Sequence, residues 1–221
     1  MEFSKVTVVI PTFNEGANID RLLELLSRFE NIRVVVSDDG SKDSTKENVV
    51  KFSFAQFLDR SDEMVHGLTA SVVDGIEHAL TEYVIVMDGD LQHPPEVIPD
   101  IVKQLESNDI VVAVREKVAS DWPWYRRIIS FGATFLAKLV LFVRGTYVSD
   151  PMSGFFGVKK SVFLQSSKKR FVGSGYKVLL DFLKQSKVSI GIVPYVFGAR
   201  DAGSSKLKLR HYLLFLKSLF T

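Results

Sequence analysis

At 221 residues and 46% hydrophobic, the chain is long enough to bury a substantial core, either as one large domain or as a domain with an appendage. Its 28 Lys and Arg against 26 Asp and Glu leave it nearly neutral, so no overall field favours nucleic acid as a partner; the absence of cysteine excludes disulfides and thiolate metal sites and is compatible with a reducing cytoplasm. The opening Met1-Glu2-Phe3-Ser4-Lys5 runs straight into a strand pattern without a charged-then-apolar leader, so no export is expected.

In chain order, apolar β-branched runs alternate with helical patterns. Val6 to Ile10 reads as a strand and Ile19 to Phe29 as a helix; Ile32 to Val36 and Ser44 to Val50 repeat the pair. Ala55 to Leu58 is a short third strand, and His66-Gly67-Leu68 opens a helical run to Leu80. Tyr83 to Met87 reads as a buried strand, Pro95 to Glu106 as a helix and Ile110 to Val114 as a further strand. The alternation predicts an α/β fold with a mainly parallel central sheet. In such sheets ligands sit beyond the carboxyl ends of strands, and each polar motif follows one: Pro11 to Glu15, Asp38 to Ser41, Asp88 to Gln92, and Arg115. After Arg115 the composition changes. Trp122-Pro123-Trp124-Tyr125-Arg126-Arg127 leads into the apolar stretch Ile128 to Val143, close to the lower length limit for a span. Its basic, aromatic flank suits a helix lying in a membrane interface, with a buried core helix as the competing reading. Leu207 to Phe220 mixes Leu and Phe with Lys208, Arg210, His211 and Lys217 and reads as amphipathic.

The most informative stretch is Asp88-Gly89-Asp90 followed by Leu91-Gln92-His93-Pro94-Pro95. Residues two apart on an extended chain point the same way, so Asp88 and Asp90 are expected to converge, and Gly89 lets a ligand approach the backbone closely. A hard divalent cation that keeps positions open for phosphate oxygens needs few protein oxygens of this kind; an ordinary Asp-Gly turn is the competing reading. A carboxylate at the end of the second strand can accept from ribose hydroxyls or a base N–H, the role favoured for Asp39, whereas Asp43 and Ser44 read as helix N-capping residues. His93 reads as a turn or packing residue, and His66, His78 and His211 lack metal-ligand spacing.

Pro-Thr-Phe-Asn-Glu at 11–15, Asp-Asp-Gly-Ser at 38–41 and Asp-Gly-Asp-Leu-Gln-His-Pro-Pro at 88–95 together resemble the family 2 glycosyltransferases of the GT-A fold. Arg115, Arg126 to Ser130, Ser149-Asp150-Pro151-Met152-Ser153-Gly154-Phe155 and the stretch from Arg200 to Lys206 bring the resemblance closest to the branch of dolichyl-phosphate mannose synthases and polyprenyl-phosphate glycosyltransferases. It implies a single GT-A domain over 1–221, with an interfacial amphipathic helix at 122–143 and a mobile loop and C-terminal amphipathic helix at 197–221. It also implies that Asp88, Asp90 and Gln92 hold Mg or Mn, and that Pro11, Phe13, Glu15, Ser37 and Asp39 line the nucleoside. Gly89 stands where the family often has Ala. Arg115, Arg200 and Lys206 correspond to basic residues around the donor and acceptor phosphates, Arg126 and Ser130 to a lipid-phosphate clamp with Arg127 as the alternative in register. Asp90, Arg115 and Asp150 are the implied catalytic positions, Asp150 competing with an Asp-Pro turn; Asp181 stands where relatives often carry Glu. The stretch from Asp59 to Ala70, with acidic Asp62 and Glu63, departs from the Gly-rich basic segment usual there.

The implied activity is inverting transfer of a hexose from a nucleotide sugar to a polyprenyl or dolichyl phosphate, with GDP-mannose preferred over UDP-glucose. It would be carried out by a peripheral enzyme at the cytoplasmic face of a membrane. Elementary chemistry agrees. A diphosphate leaving group develops charge that a divalent cation, Arg and Lys stabilise, and an acceptor phosphate already anionic near pH 7 needs no strong base. A receiver domain would leave Gln92 to Pro95 and the Arg200 segment unexplained, and a non-catalytic scaffold would have no use for an intact metal motif. Oligomeric state is not encoded in any motif.

Overall fold

The computed structural model describes residues 3–118, 124–165 and 178–198, with the backbone alone at 117–118 and 124–130. Arg200, Lys206, Trp122, Pro123 and the expected helix from Leu207 to Phe220 lie outside the described residues.

The elements follow in the order β1 (Val6–Thr12), α1 (Gly16–Leu26), β2 (Arg33–Asp38), α2 (Thr45–Val49), β3 (Ala55–Asp59), α3 (Leu68–His78) and β4 (Tyr83–Val86). A 3-10 turn at Pro95–Val97 leads into α4 (Ile98–Leu105). Then come β5 (Ile110–Val118), α5 (Trp124–Val143), β6 (Phe156–Lys159), α6 (Lys160–Gln165), α7 (Val178–Gln185) and β7 (Ile190–Phe197). One seven-stranded sheet has the order β3-β2-β1-β4-β6-β5-β7, and β6 is antiparallel to both its neighbours. The expectation of a mainly parallel α/β sheet is met.

The layers follow from side-chain spacing. Ile19, Leu22, Leu23 and Leu26 of α1, like Ile98, Ile101, Val102 and Leu105 of α4, fall at i, i+3, i+4 and i+7, a single helix face. Both stripes pack with Val8, Ile10, Val34, Val36 and Ile85 on one side of the sheet. The other side, with Val9, Val35, Val84 and Val112, is covered by Val72, Val73 and Ile76 of α3, Ala137 and Leu141 of α5, and Leu179, Leu180 and Leu183 of α7. Alternate strand residues therefore serve opposite cores, and β1 is buried along its whole length. Truncating a fully buried leucine such as Leu23 to Ala is expected to cost about 2–5 kcal/mol. Helix α3 approaches β1 closely because Gly75 faces it; a Cβ there would lie 2.4 Å from Val9 Cγ1.

Three features differ from the sequence expectation. Strand β5 runs on to Val118, so Arg115 lies within the strand, at a bulge where pairing passes from Arg115↔Tyr195 to Lys117↔Val196. Strand β4 ends at Val86, and Gly89 and Asp90 form a turn rather than continuing extended, so strand alternation does not set the relation of Asp88 to Asp90. Strands β6 and β7 and helices α6 and α7 were not marked by the sequence patterns; β7 carries Pro194, which is tolerated because β7 is an edge strand.

Candidate active site

In this order β2 and β4 flank β1; β1 connects to β2 on one side, while β4 on the other side is reached from β3, so the carboxyl ends of β1 and β4 border a topological switch point. The turn after β4 lies directly against the end of β1. A Cβ on Gly89 would sit 3.4–3.7 Å from Ile10, Thr12 and Glu15. That is ordinary contact, so the fold itself has room for an alanine there, and close packing does not account for the glycine.

The loops after β1 and β2 are stitched to one another. Asn14 adopts a left-handed backbone (φ 53°), which asparagine tolerates; its N–H donates to Ser41 Oγ (2.7 Å) and its Oδ1 accepts from Lys42 N–H (2.8 Å). Glu15 N–H donates to Thr45 Oγ1 (3.1 Å) and Gly16 N–H to Asp43 Oδ2 (2.9 Å). Asp43 also accepts from Thr45 N–H at the start of α2, so the expected capping role falls to Asp43, while Ser44 makes no side-chain cap bond. Burial pushes the Asp43 carboxyl up, but the bonds from Thr45 and Gly16 outweigh it and hold the group below the ordinary aspartate range. Phe13 is exposed at the mouth of this seam, and Glu15 accepts from Asn18 Nδ2 (3.1 Å).

The two aspartates after β2 divide the work. Asp38 is buried and builds the loop, accepting from Thr12 Oγ1 (2.7 Å), Gly40 N–H (3.1 Å) and Ser41 N–H (2.7 Å). Asp39 lies toward the site with Oδ1 accepting from Arg60 Nη1 (2.6 Å), His66 Nδ1 2.9 Å from the same oxygen, and Oδ2 accepting from Gly67 N–H (2.8 Å). Arg60 is 2% exposed and also donates to Asp74 Oδ2 (2.7 Å), Ser71 Oγ (3.0 Å) and Val65 O (2.7 Å). It is the residue that sequence reasoning missed. Beside Asp62 and Glu63 it reads as part of a solvated charge run, and the only clue is the i, i+3 pair Ser71 and Asp74 on the face of α3 turned toward it. Ser37 has its side chain fully buried beneath α3, where a Cβ on Gly75 would lie 3.4 Å from Ser37 Cβ; Pro11 is buried in β1.

After β4, Asp88 is 42% exposed at its side chain and Asp90 only 6% exposed as a residue. Leu91 between Asp90 and Gln92 has φ 64°, an uncommon conformation for a branched residue, and its side chain packs on the core. Gln92 N–H donates to Asp90 Oδ1 (3.2 Å), Gln92 Nε2 donates to Gly198 O (3.1 Å), and Gln92 O accepts from Gly198 N–H (3.0 Å). Gly154 opens space beside Asp88, since a Cβ there would lie 3.2 Å from Asp88 Oδ2. Among the described residues no three His, Cys, Asp or Glu side chains gather into a cation cage. Two carboxylates and an amide carbonyl along one short turn are the hard oxygen donors that a divalent cation takes when it keeps positions for other ligands.

On the other side of the site Arg115 and Asp150 form a bidentate pair, Nε to Oδ2 at 2.7 Å and Nη2 to Oδ1 at 3.0 Å. Burial opposes the Arg115 charge, yet the Asp150 carboxylate outweighs it and the guanidinium is held more firmly protonated than usual. Its carbon lies 5.7 Å over the Phe197 ring. Asp150 also sits in the expected turn, since Ser153 N–H donates to its carbonyl (3.2 Å). Burial pushes the neighbouring Tyr195 phenol far up, against the opposing charge of Arg115. Asp181 lies away in α7, 4% exposed and paired with Lys184 Nζ at 3.1 Å; burial raises its carboxyl and Lys184 opposes the rise. The backbone of Arg126 and Ser130 lies in the first part of α5, one turn apart. Further along that helix Phe131, Phe135, Leu139 and Phe142 are exposed while Ala137 and Leu141 face the core; no described helix is long and apolar enough to cross a membrane.

Residues 7–165 match the family described as Glycosyl transferase family 2. A dolichol-phosphate mannosyltransferase of Pyrococcus furiosus is 35% identical over 98% of this chain, which spans 63% of that relative's length. A dolichol-phosphate mannosyltransferase of Saccharomyces cerevisiae is 33% identical over 97% of this chain and 86% of its own. In fold, the chain superposes on glucosyl-3-phosphoglycerate synthase from Mycobacterium tuberculosis, solved with Mn2+, UDP and glucosyl-3-phosphoglycerate. The TM-score is 0.70, with 20% identity over 98% of this chain and 78% of that one.

Proposed function

The chain belongs to glycosyl transferase family 2, and from that premise we propose that it transfers mannose from GDP-mannose to the phosphate of a dolichyl or other polyprenyl lipid. The observation that carries the donor half is the Asp88 to Gln92 turn set against the end of β1 at the switch point, with the side of Asp88 left open by Gly154. The sugar and the acceptor rest on the name shared by the two mannosyltransferases, each matched over nearly the whole chain.

In this reading Asp88, Asp90 and Gln92 hold Mg or Mn, which when bound neutralises charge on the departing nucleoside diphosphate. Phe13, Glu15 and Asp39 face the nucleoside; Arg60 and Gly67 N–H fix Asp39 so that its carboxylate stays in place as an acceptor. Arg115, kept charged and immobile by Asp150, presents its guanidinium to the phosphates, and Arg200 and Lys206 add positive charge from the segment after β7. The lipid phosphate, held by Arg126 and Ser130, is anionic near neutrality. Its oxygen attacks the anomeric carbon opposite the bond to the diphosphate, which leaves with inversion, and no side chain needs to remove a proton. The exposed aromatic stripe of α5 lies on the cytoplasmic surface of a membrane, where it presents the clamp to the lipid headgroup.

The test supplies the protein with Mn2+ or Mg2+, dolichyl phosphate and a panel of radiolabelled nucleotide sugars that includes UDP-glucose. Label reaching the organic phase from GDP-mannose is the expected result. Label that stays aqueous throughout, or that moves from UDP-glucose in its place, overturns the assignment.

A further inference from the structure

The histidine that follows the 88–92 turn is 2% exposed. Its ring stacks on Phe155 (centroids 5.0 Å, 18°) and meets the edges of Tyr195 (5.9 Å) and Phe197 (5.7 Å). Inside that aromatic box, His93 Nδ1 accepts the backbone N–H of Asp88 at 3.0 Å. The sheet explains why that bond is needed. Met87 N–H donates to Val9 O on the β1 side, so the next amide, that of Asp88, turns toward the β6 side. There the ladder has ended: the last pair is Val86↔Phe156, and no β6 residue stands opposite Asp88.

We propose that His93 is a positioning residue for the metal-side turn: its Nδ1 replaces the missing strand acceptor, fixes the Asp88 backbone and so aims the Asp88 carboxylate. An accepting Nδ1 leaves the ring proton on Nε2, which lies 3.9 Å from Asp88 Oδ2, so the ring addresses both ends of the same residue. Gly154 makes room for both partners, since a Cβ there would lie 3.4 Å from His93 Cε1 as well as 3.2 Å from Asp88 Oδ2. Through Phe197, the ring box also reaches Arg115, so one buried cluster underlies both charged parts of the site.

Two substitutions separate positioning from packing. His93→Phe keeps a flat ring and removes the acceptor; His93→Asn keeps an acceptor near the position of Nδ1 and removes the ring. Amide exchange at Asp88 without metal is expected to stay slow in the wild type and in His93→Asn and to become fast in His93→Phe. Melting temperature is expected to move the other way, falling more in His93→Asn. The inference rests on the metal-dependent reading only for its consequence: Mn2+ affinity with GDP present is expected to drop about tenfold or more in His93→Phe and less than about threefold in His93→Asn. Slow Asp88 exchange in His93→Phe, or Mn2+ affinity that follows melting temperature across both variants, overturns the proposal. A wild-type protein that binds no Mn2+ with GDP while showing the expected exchange pattern refutes the metal-dependent function and leaves the positioning role standing.

Discussion

At the ends of β1 and β2 the backbone itself is cross-linked: amides of Asn14, Glu15, Gly16 and Lys42 all end on side chains of the facing loop. At β5 and β7 the site depends instead on one ion pair, Arg115 with Asp150, and on rings packed beneath it. The first arrangement spreads the load over several short-range bonds, each worth about 1 kcal/mol, so no single loss dissolves it. The second concentrates it. Two charges largely removed from water are held by each other, and losing one leaves the other stranded. The two regions should therefore fail in different ways when mutated.

The largest effect is expected at the turn between these regions. Asp90→Ala should lower the rate of sugar transfer by at least about 100-fold with the melting temperature little changed, because it removes stabilisation of the leaving diphosphate rather than core packing. Chelation of the wild type should match it, and added Mn2+ should restore the wild type alone; steady-state transfer kinetics decide the matter. Next comes the concentrated side: Arg115→Ala should destabilise the fold by about 3 kcal/mol by orphaning a buried carboxylate, as well as cutting transfer, and Asp150→Asn should cost less. Denaturant midpoints for both variants measure this, and equal costs would mean that the pair is not the support described.

On α5, Arg126→Ala should raise the lipid-phosphate concentration needed for half-maximal rate while leaving GDP binding nearly unchanged. If both groups serve one phosphate, as proposed, adding Ser130→Ala should have a less than additive effect. The smallest effect belongs to the stitched loops. Asp43→Ala should cost about 1 kcal/mol, the usual scale for a helix-start acceptor. The folded-state carboxyl is held below its ordinary value of 3.8, so the stability it adds is present above that pH and is lost as pH falls through the lower folded value. The gap between wild type and Asp43→Ala in urea melts should accordingly narrow below about pH 3.8 and hold steady above it.

The same contrast explains what the sequence could disclose. Strands β1, β2 and β4 are almost wholly buried and appear as runs rich in β-branched apolar residues, and each polar motif beside them is contiguous, so these strands and the loops that leave them were legible from local pattern alone. Asp150 and Arg115 are 35 residues apart, and nothing in the intervening chain announces that they meet. Strand β7 hid behind Pro194 and exposed Ile192 and Val196, which remove the polar alternation of a half-buried strand. Arg60 was invisible for a related reason: its partners Asp39, Val65, Ser71 and Asp74 are gathered from the end of one strand, a loop and a helix face. The bulge that holds Arg115 within β5, rather than beyond it, depends on pairing with β7 and has no local signature.

In the proposed reaction the turn after β4 grips a nucleoside diphosphate through a divalent cation. Calorimetric titration of GDP into the wild-type protein, once with Mn2+ and once with a chelator, tests it most directly. The expected result is saturable binding with Mn2+ that is lost in chelator and lost in Asp88→Ala under both conditions. Equal GDP affinity with and without the cation, unchanged in Asp88→Ala, would contradict it.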